Sequence, residues 1–212
     1  MKLIDDIRAI KKRDPACRSY FEGILLYAGF RAIFDYRVAH FFYKIKFYFI
    51  ARLISQTSRF FTGIEIHPGA KIGRGFFIDH GAAVVIGETT EIGDNCTIYQ
   101  AVTLGGTGKD TGKRHPTLGD DVLIGAGAKV LGPVKIGSHS KVAAGAVVLS
   151  DIPEHATAVG VPARVVKICN ERVCETLDQV NIPDPIAQEI SRLEKELRRM
   201  EKRVRELEGE KK

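Results

Sequence analysis

Aliphatic residues recur every six positions through the middle of the chain, at Ile66, Ile72, Ile78 and Val84. After a slip of two residues the same beat runs through Ile86, Ile92, Ile98 and Leu104, then through Leu118, Ile124, Val130, Ile136, Val142 and Val148. Most are preceded, two positions earlier, by a small or β-branched residue such as Ala70, Thr90, Cys96, Val102, Ala128 or Ala146. Residues two apart face the same side of an extended strand, and small polar residues with Gly then turn the chain. The repeat therefore predicts short strands wound into a parallel β-helix, with the period-six aliphatics stacked inside. A sandwich would need longer strands at irregular spacing. Between Leu104 and Leu118 the beat fails. Gly105 to Thr117 supply no inward aliphatic, so this stretch is expected to leave the scaffold as a loop, where function concentrates.

Both flanks change period. Before residue 62, Ile24, Leu25, Ala28, Ile33, Phe34, Val38, Phe41, Phe42, Ile45, Phe49, Leu53 and Ile54 recur at three- and four-residue steps, which predicts helices. The runs Phe41-Phe42-Tyr43 and Phe47-Tyr48-Phe49 are expected in the core or at a subunit contact. After a cap over 150–168, Asn181, Pro183 and Pro185 mark a linker. Ile186, Ile190, Leu193, Leu197, Met200, Val204 and Leu207 then alternate steps of four and three, the a/d seam of a coiled coil. A single amphipathic helix laid on its own chain is the alternative. The fold class is thus α+β: a helical segment over 1–62, a β-helix over 63–168 with a loop at 105–117, a linker over 169–185 and a coiled-coil helix over 186–212.

Composition adds limits. The 212 residues carry 32 Lys and Arg against 26 Asp and Glu, a net charge of +6 that suits an anionic ligand. No basic run supports nucleic acid. The greasiest stretch, Val38 to Phe49, is broken by Lys44 and Lys46 and is too short to span a bilayer. The N-terminus has no signal-peptide core, so a cytoplasmic location is expected. Cys17, Cys96, Cys169 and Cys174 form neither a disulfide framework nor a paired metal motif; Cys96 falls on an inward site and reads as packing.

Among the six histidines, His80 stands out through its neighbours. Asp79 precedes it, and Glu65 falls three positions away once a coil of roughly 18 residues is subtracted. Adjacent coils lie about 4.8 Å apart. A carboxylate that close can hold one ring nitrogen and leave the other free as a general base; a surface ion pair is the bland reading. A zwitterionic substrate needs carboxylates at one end and cations at the other, and Asp14, Asp79, Arg114 and His115 supply both. Asp14 is remote in sequence, so its helix must fold back over this β-helix or that of a neighbour.

Ile64-Glu65-Ile66-His67-Pro68-Gly69-Ala70, Phe77-Ile78-Asp79-His80-Gly81, Val84-Val85-Ile86-Gly87-Glu88-Thr89, Val102 to Lys109 and Lys113-Arg114-His115-Pro116, with Arg13-Asp14-Pro15-Ala16, resemble the serine O-acetyltransferase family of left-handed β-helix acyltransferases. The resemblance spans about residues 10–168. It implies acetyl transfer from acetyl-CoA to the L-serine hydroxyl, giving O-acetyl-L-serine and CoA, the first step of cysteine synthesis from serine. It implies His80 as general base and Glu65, where Asp is the better-known residue, as its orienter. It implies Asp14 and Asp79 on the serine ammonium, and Arg114 and His115 on its carboxylate. For acetyl-CoA it implies Gly105, Gly106, Ala126 and Ala144, with Lys141 and Arg164 toward phosphates. No metal is expected.

The family also implies a homotrimer with sites between β-helices and docking of many members onto O-acetylserine sulfhydrylase through a C-terminal Ile. This chain ends Glu208-Gly209-Glu210-Lys211-Lys212, so that docking is not expected. Three rivals remain: an acetyltransferase for a sugar hydroxyl or amine, which would not need the Arg114–His115 clamp; a β-helix metalloenzyme, which needs three converging histidines; and a non-catalytic scaffold.

Overall fold

The computed structural model describes residues 2–108, 111–168 and 185–209. Four helices precede the repeat: α1 (Lys2–Arg13), α2 (Tyr20–Leu26), α3 (Ala28–Lys44) and α4 (Tyr48–Thr62). Ser19 caps α2 by accepting from the Glu22 N–H. Gly63, at φ 70°, closes α4 in the left-handed conformation that glycine adopts without penalty.

The repeat then winds over three faces. The first coil is β1 (Glu65–Ile66), β2 (Lys71–Ile72) and β3 (Phe77–Ile78); the second is β4 (Val85–Ile86), β5 (Glu91–Ile92) and β6 (Thr97–Ile98). The third is β7 (Thr103–Gly105), β8 (Thr117–Leu118) and β9 (Leu123–Ile124), and the fourth β10 (Lys129–Leu131), β11 (Lys135–Ile136) and β12 (Lys141–Val142). Then come β13 (Val147–Val148), β14 (Ala156–Val159) and the antiparallel β15 (Arg164–Ile168). Every third strand pairs in parallel, so face A is β1-β4-β7-β10-β13, face B is β2-β5-β8-β11, and face C is β3-β6-β9-β12-β14 closed by β15. Inside, Ile66, Ile86, Leu104, Val130 and Val148 form one buried column, and the other faces add theirs. Helix α5 (Pro185–Gly209) follows. The expected linker falls almost wholly on 169–184, outside the described residues.

The helices close the lower end of the prism. Ala32, Ile33 and Tyr36 of α3 join the same core as Ile64, Ile66 and Phe76. A Cβ at Gly29 would collide with the Ile78 carbonyl, so glycine lets α3 start directly against β3. The fully buried Asp6 accepts from Arg37 Nε at 2.8 Å and from the Phe76 N–H at 3.1 Å, tying α1, α3 and the first coil together. The aromatic runs are not in this core: Phe41 is 60% and Phe49 81% exposed.

The strand register corrects the counting of the repeat. Ile66 pairs with Ile86, a step of 20 residues; Ile86 pairs with Leu104, a step of 18; Leu104 pairs with Val130, a step of 26 that contains the loop. The slip therefore lies between Ile78 and Val84, and Val84 is the buried corner residue two before Ile86. Its position resolves further. The Asp79 N–H donates to Ile98 O as the Tyr99 N–H donates to Ile124 O, while Ala82 O accepts from Ala101 as Gln100 O accepts from Gly127. Asp79 and Ala82 thus have consecutive counterparts, Tyr99 and Gln100, one coil up. The two inserted residues are His80 and Gly81.

Candidate functional site

The corner from face C to face A holds the first group. The insertion pushes His80 out of the prism at φ 58°, with its side chain 72% exposed and Nε2 3.8 Å from Asp79 Oδ1. The turn after α1 delivers Asp14 to the same corner of its own chain. Arg13 anchors that turn, donating to Gly75 O at 3.1 Å and to Thr97 Oγ1 at 3.0 Å. Asp14 accepts from the Ala16 N–H at 2.8 Å and from the Tyr27 hydroxyl. Burial pushes the Asp79 carboxyl above the usual carboxylate range; His80 opposes the shift and the Asp14 charge adds to it. Two carboxylates and an imidazole therefore share one exposed corner, an arrangement that favours a cationic group between the acids.

Glu65 stands at the start of β1, beneath this corner. The Ala83 N–H donates to Gly63 O at 3.0 Å, and Gly81 packs on Ile64. Its carboxylate is turned toward α4, with Oε2 3.0 Å from Arg59 Nη1 and Oε1 3.4 Å from Gln56 Nε2. The structure thus brings Glu65 beside the His80 corner but engages it with Arg59 rather than with the imidazole. The subtraction of an 18-residue coil overlooked the insertion.

The corner from face A to face B holds the second group, at the base of the loop. Thr89 organises it: Oγ1 accepts from the Arg114 and His115 N–H groups, both at 3.1 Å, and the Thr89 N–H donates to His115 Nδ1 at 3.2 Å. The neutral ring therefore carries its proton on Nε2. His115 is only 7% exposed, and burial, followed by Arg114, lowers its pKa. A Cβ at Gly87 would collide with this ring, so glycine is required beneath it. Arg114 Nη2 meets Glu88 Oε2 at 2.7 Å, and Tyr43 donates to the other Glu88 oxygen at 3.2 Å. Lys113 Nζ ties down Thr89 O, His115 O and Pro116 O.

Residue counting missed Glu88, Thr89, Lys113 and Tyr27 as supports. Glu88 and Thr89 stand on the corner just below the loop, a signal available once strands are aligned by coil; Tyr27 carries no such signal. Of the acetyl-CoA candidates, Ala126 and Ala144 repeat the position of Ala82 on successive coils, above His80: Gly127 donates to Gln100 O and Gly145 to Ala126 O. Lys129 reaches across to Ala101 O on this edge. Gly105 and Gly106 lie at the other corner, with Gly106 against the His115 ring. Lys141 begins β12, and Arg164 begins β15 near the top of face C. Cys96 is buried as expected, its thiol pushed up to about 12 by burial, which makes it a packing residue. Among the described residues no set of three metal-ligating side chains comes together, and no helix is long and apolar enough to cross a membrane.

Residues 1–34 match the family described as "Serine acetyltransferase, N-terminal", and residues 115–150 match "Bacterial transferase hexapeptide (six repeats)". Over 194 residues the chain is 59% identical to the serine acetyltransferase of Bacillus subtilis (strain 168), covering 92% of this chain and 89% of that protein. The chain belongs to the serine acetyltransferase family. Solved serine acetyltransferases share the fold. The soybean enzyme complexed with serine superposes with a TM-score of 0.76 at 49% identity, over 78% of this chain and 68% of that one. The Brucella abortus strain S19 enzyme in complex with coenzyme A gives 0.76 at 45% identity, over 78% and 66%. The architecture is therefore the left-handed β-helix of hexapeptide repeats preceded by helices. The activity is that of serine acetyltransferases: acetyl passes from acetyl-CoA to serine.

Proposed function

We propose that His80 is the general base of this O-acetylation, with the serine held between the two corner groups. Asp14 and Asp79 take the ammonium; Arg114 and the Nε2–H of His115 take the carboxylate, the planar guanidinium matching two oxygens at once. His80 removes the hydroxyl proton as the oxygen attacks the thioester carbonyl, and CoA leaves without an acyl-enzyme. Glu65 steadies the imidazole and its developing charge. The coenzyme lies along the edge of Ala126 and Ala144, with Gly105 and Gly106 on the facing corner and Lys141 and Arg164 toward its phosphates. The observation that carries this reading is the insertion: the two residues added to the hexapeptide frame are His80 and Gly81, beside the paired acids Asp79 and Asp14. Replacing His80 by Ala should lower kcat by about 10²–10⁴-fold while acetyl-CoA still binds. Near-normal turnover would sink the mechanism.

The corners also argue for assembly. Face A separates them, and a six-residue extended segment spans roughly 20 Å. Serine is far smaller than that. One chain's His80 corner must therefore meet the Arg114 corner of another copy, a head-to-tail contact that closes as a ring. We read the ring as a homotrimer, with the chain divided into the helical segment 1–62, the β-helix 63–168 and the heptad helix from 186. The Ile190, Leu193, Leu197, Met200 and Val204 side chains of α5 are each 52–60% exposed, which favours association with other copies. Cys17 and Cys96 are free buried thiols, in keeping with a cytoplasmic enzyme. The expectation about sulfhydrylase docking falls on a terminus whose last residues, 210–212, lie outside those described.

A further inference from the structure

Three elements meet below the His80 corner: the last turn of α4, the start of β1 and the inserted His80–Gly81 pair. Gly63 links the first two. Its N–H donates to Arg59 O at 2.8 Å, and its carbonyl accepts from the Ala83 N–H at 3.0 Å. The last turn of α4 is thus bonded through Gly63 to Ala83, three residues past His80 on the same corner. Arg59 Nη1 lies 3.0 Å from Glu65 Oε2; Gln56 and Arg52, one and two turns earlier on α4, reach Oε1 at 3.4 and 3.9 Å. An ionised carboxylate has about four acceptor sites, so these contacts leave room for an imidazole N–H.

We infer that Arg59 is a positioning residue for the acetyl transfer, fixing the Glu65 carboxylate so that it can orient His80. The inference rests on the reading of Glu65 as the partner of His80. A glutamate side chain has three rotatable bonds and loses their freedom when it must hold one direction. An arginine clamp on one oxygen imposes that loss before substrate arrives. The clamp comes from the last turn of α4, so the helix end has a task beyond closing the prism. Arg59 itself is exposed enough to be replaced without opening a core.

The test uses the full chain in four forms: wild type, Arg59→Met, Glu65→Gln and the double variant, with Arg59→Lys as the conservative control. Arg59→Met should lower kcat by about tenfold, the scale of a loosened catalytic geometry. The KM values for serine and acetyl-CoA should stay within about twofold, because Arg59 touches neither. Arg59→Lys should recover part of the loss. In the Glu65→Gln background, Arg59→Met should change nothing further. A wild-type kcat in Arg59→Met, beside a clear loss in Glu65→Gln, overturns this inference alone. An equal loss from Arg59→Met in both backgrounds also overturns it, by showing a purely structural role. Full activity in Glu65→Gln overturns the Glu65–His80 partnership and this inference together.

Discussion

Asp79, proposed above to take the serine ammonium, carries a cost on folding. Its folded pKa is raised by burial and by Asp14. A carboxyl raised on folding adds stability below its unfolded pKa, and that contribution is lost as pH rises through the folded value. Ionising Asp79 in the folded chain is therefore costly, a cost that a bound cation would offset. Asp79→Asn should raise the thermal midpoint at pH 7, with the gain shrinking as pH falls toward about 4, while the KM for serine rises. Thermal melts across pH and a serine titration check both halves; a variant that is less stable at pH 7 contradicts this account. Asp14, Asp79, His80, Arg114 and His115 stand out from motif and charge alone, and the structure gathers them at two corners. The clamp of Glu65 by Arg59 was not legible in this way, because an ion pair between a helix end and a strand start leaves no periodic trace. Tyr27 escaped notice for a similar reason, whereas Thr89 becomes visible only once the strands are aligned by coil.

Among the elements, the strands were the most legible, since burial on a prism imposes the six-residue beat directly. Helices α1 to α4 were legible as helical but not as separate pieces: α2 and α3 meet at Tyr27 with only a one-residue break. The aromatic residues of α3 and α4 were ambiguous because hydrophobicity does not distinguish a core from an exposed face, and several proved exposed. The corner carrying His80 makes its own prediction. Removing His80 and Gly81 together should restore a corner like Tyr99-Gln100-Ala101-Val102, leaving Asp79 and Ala82 to keep their ladder bonds. The shortened protein should fold, bind acetyl-CoA and show no transfer; failure to fold, seen by circular dichroism, would mean that the insertion is structural. Helix α5 makes another. Leu193→Asp with Leu197→Asp puts charges into its exposed apolar stripe, and the proposed trimer should then dissociate at higher protein concentration in sedimentation. Unchanged sedimentation would remove α5 from the interface.

On the proposed reading, the whole molecule carries half of a site at each of two corners. In a head-to-tail ring, every complete site takes His80 from one chain and Arg114 from the next. Chains with His80→Ala and chains with Arg114→Ala should each be inactive alone. Unfolded and refolded together in equal amounts, they should regain about a quarter of wild-type activity, the statistical share of intact corner pairs in a closed ring. No recovery, with mixed oligomers demonstrated, would place the whole site within one chain. The coil lengths have a further consequence. A uniform hexapeptide prism resembles a crystal with a short lattice vector: its aliphatic columns are interchangeable, so a slip by one coil loses little. This chain is not uniform. Its steps of 20 and 26 residues, set among regular steps of 18, act as dislocations that mark two of the coils. A strand stacked one coil out of place would meet a partner of the wrong spacing at the His80 corner and again at the loop. The faults that bring chemistry to an otherwise inert lattice are also what gives its stacking a single address.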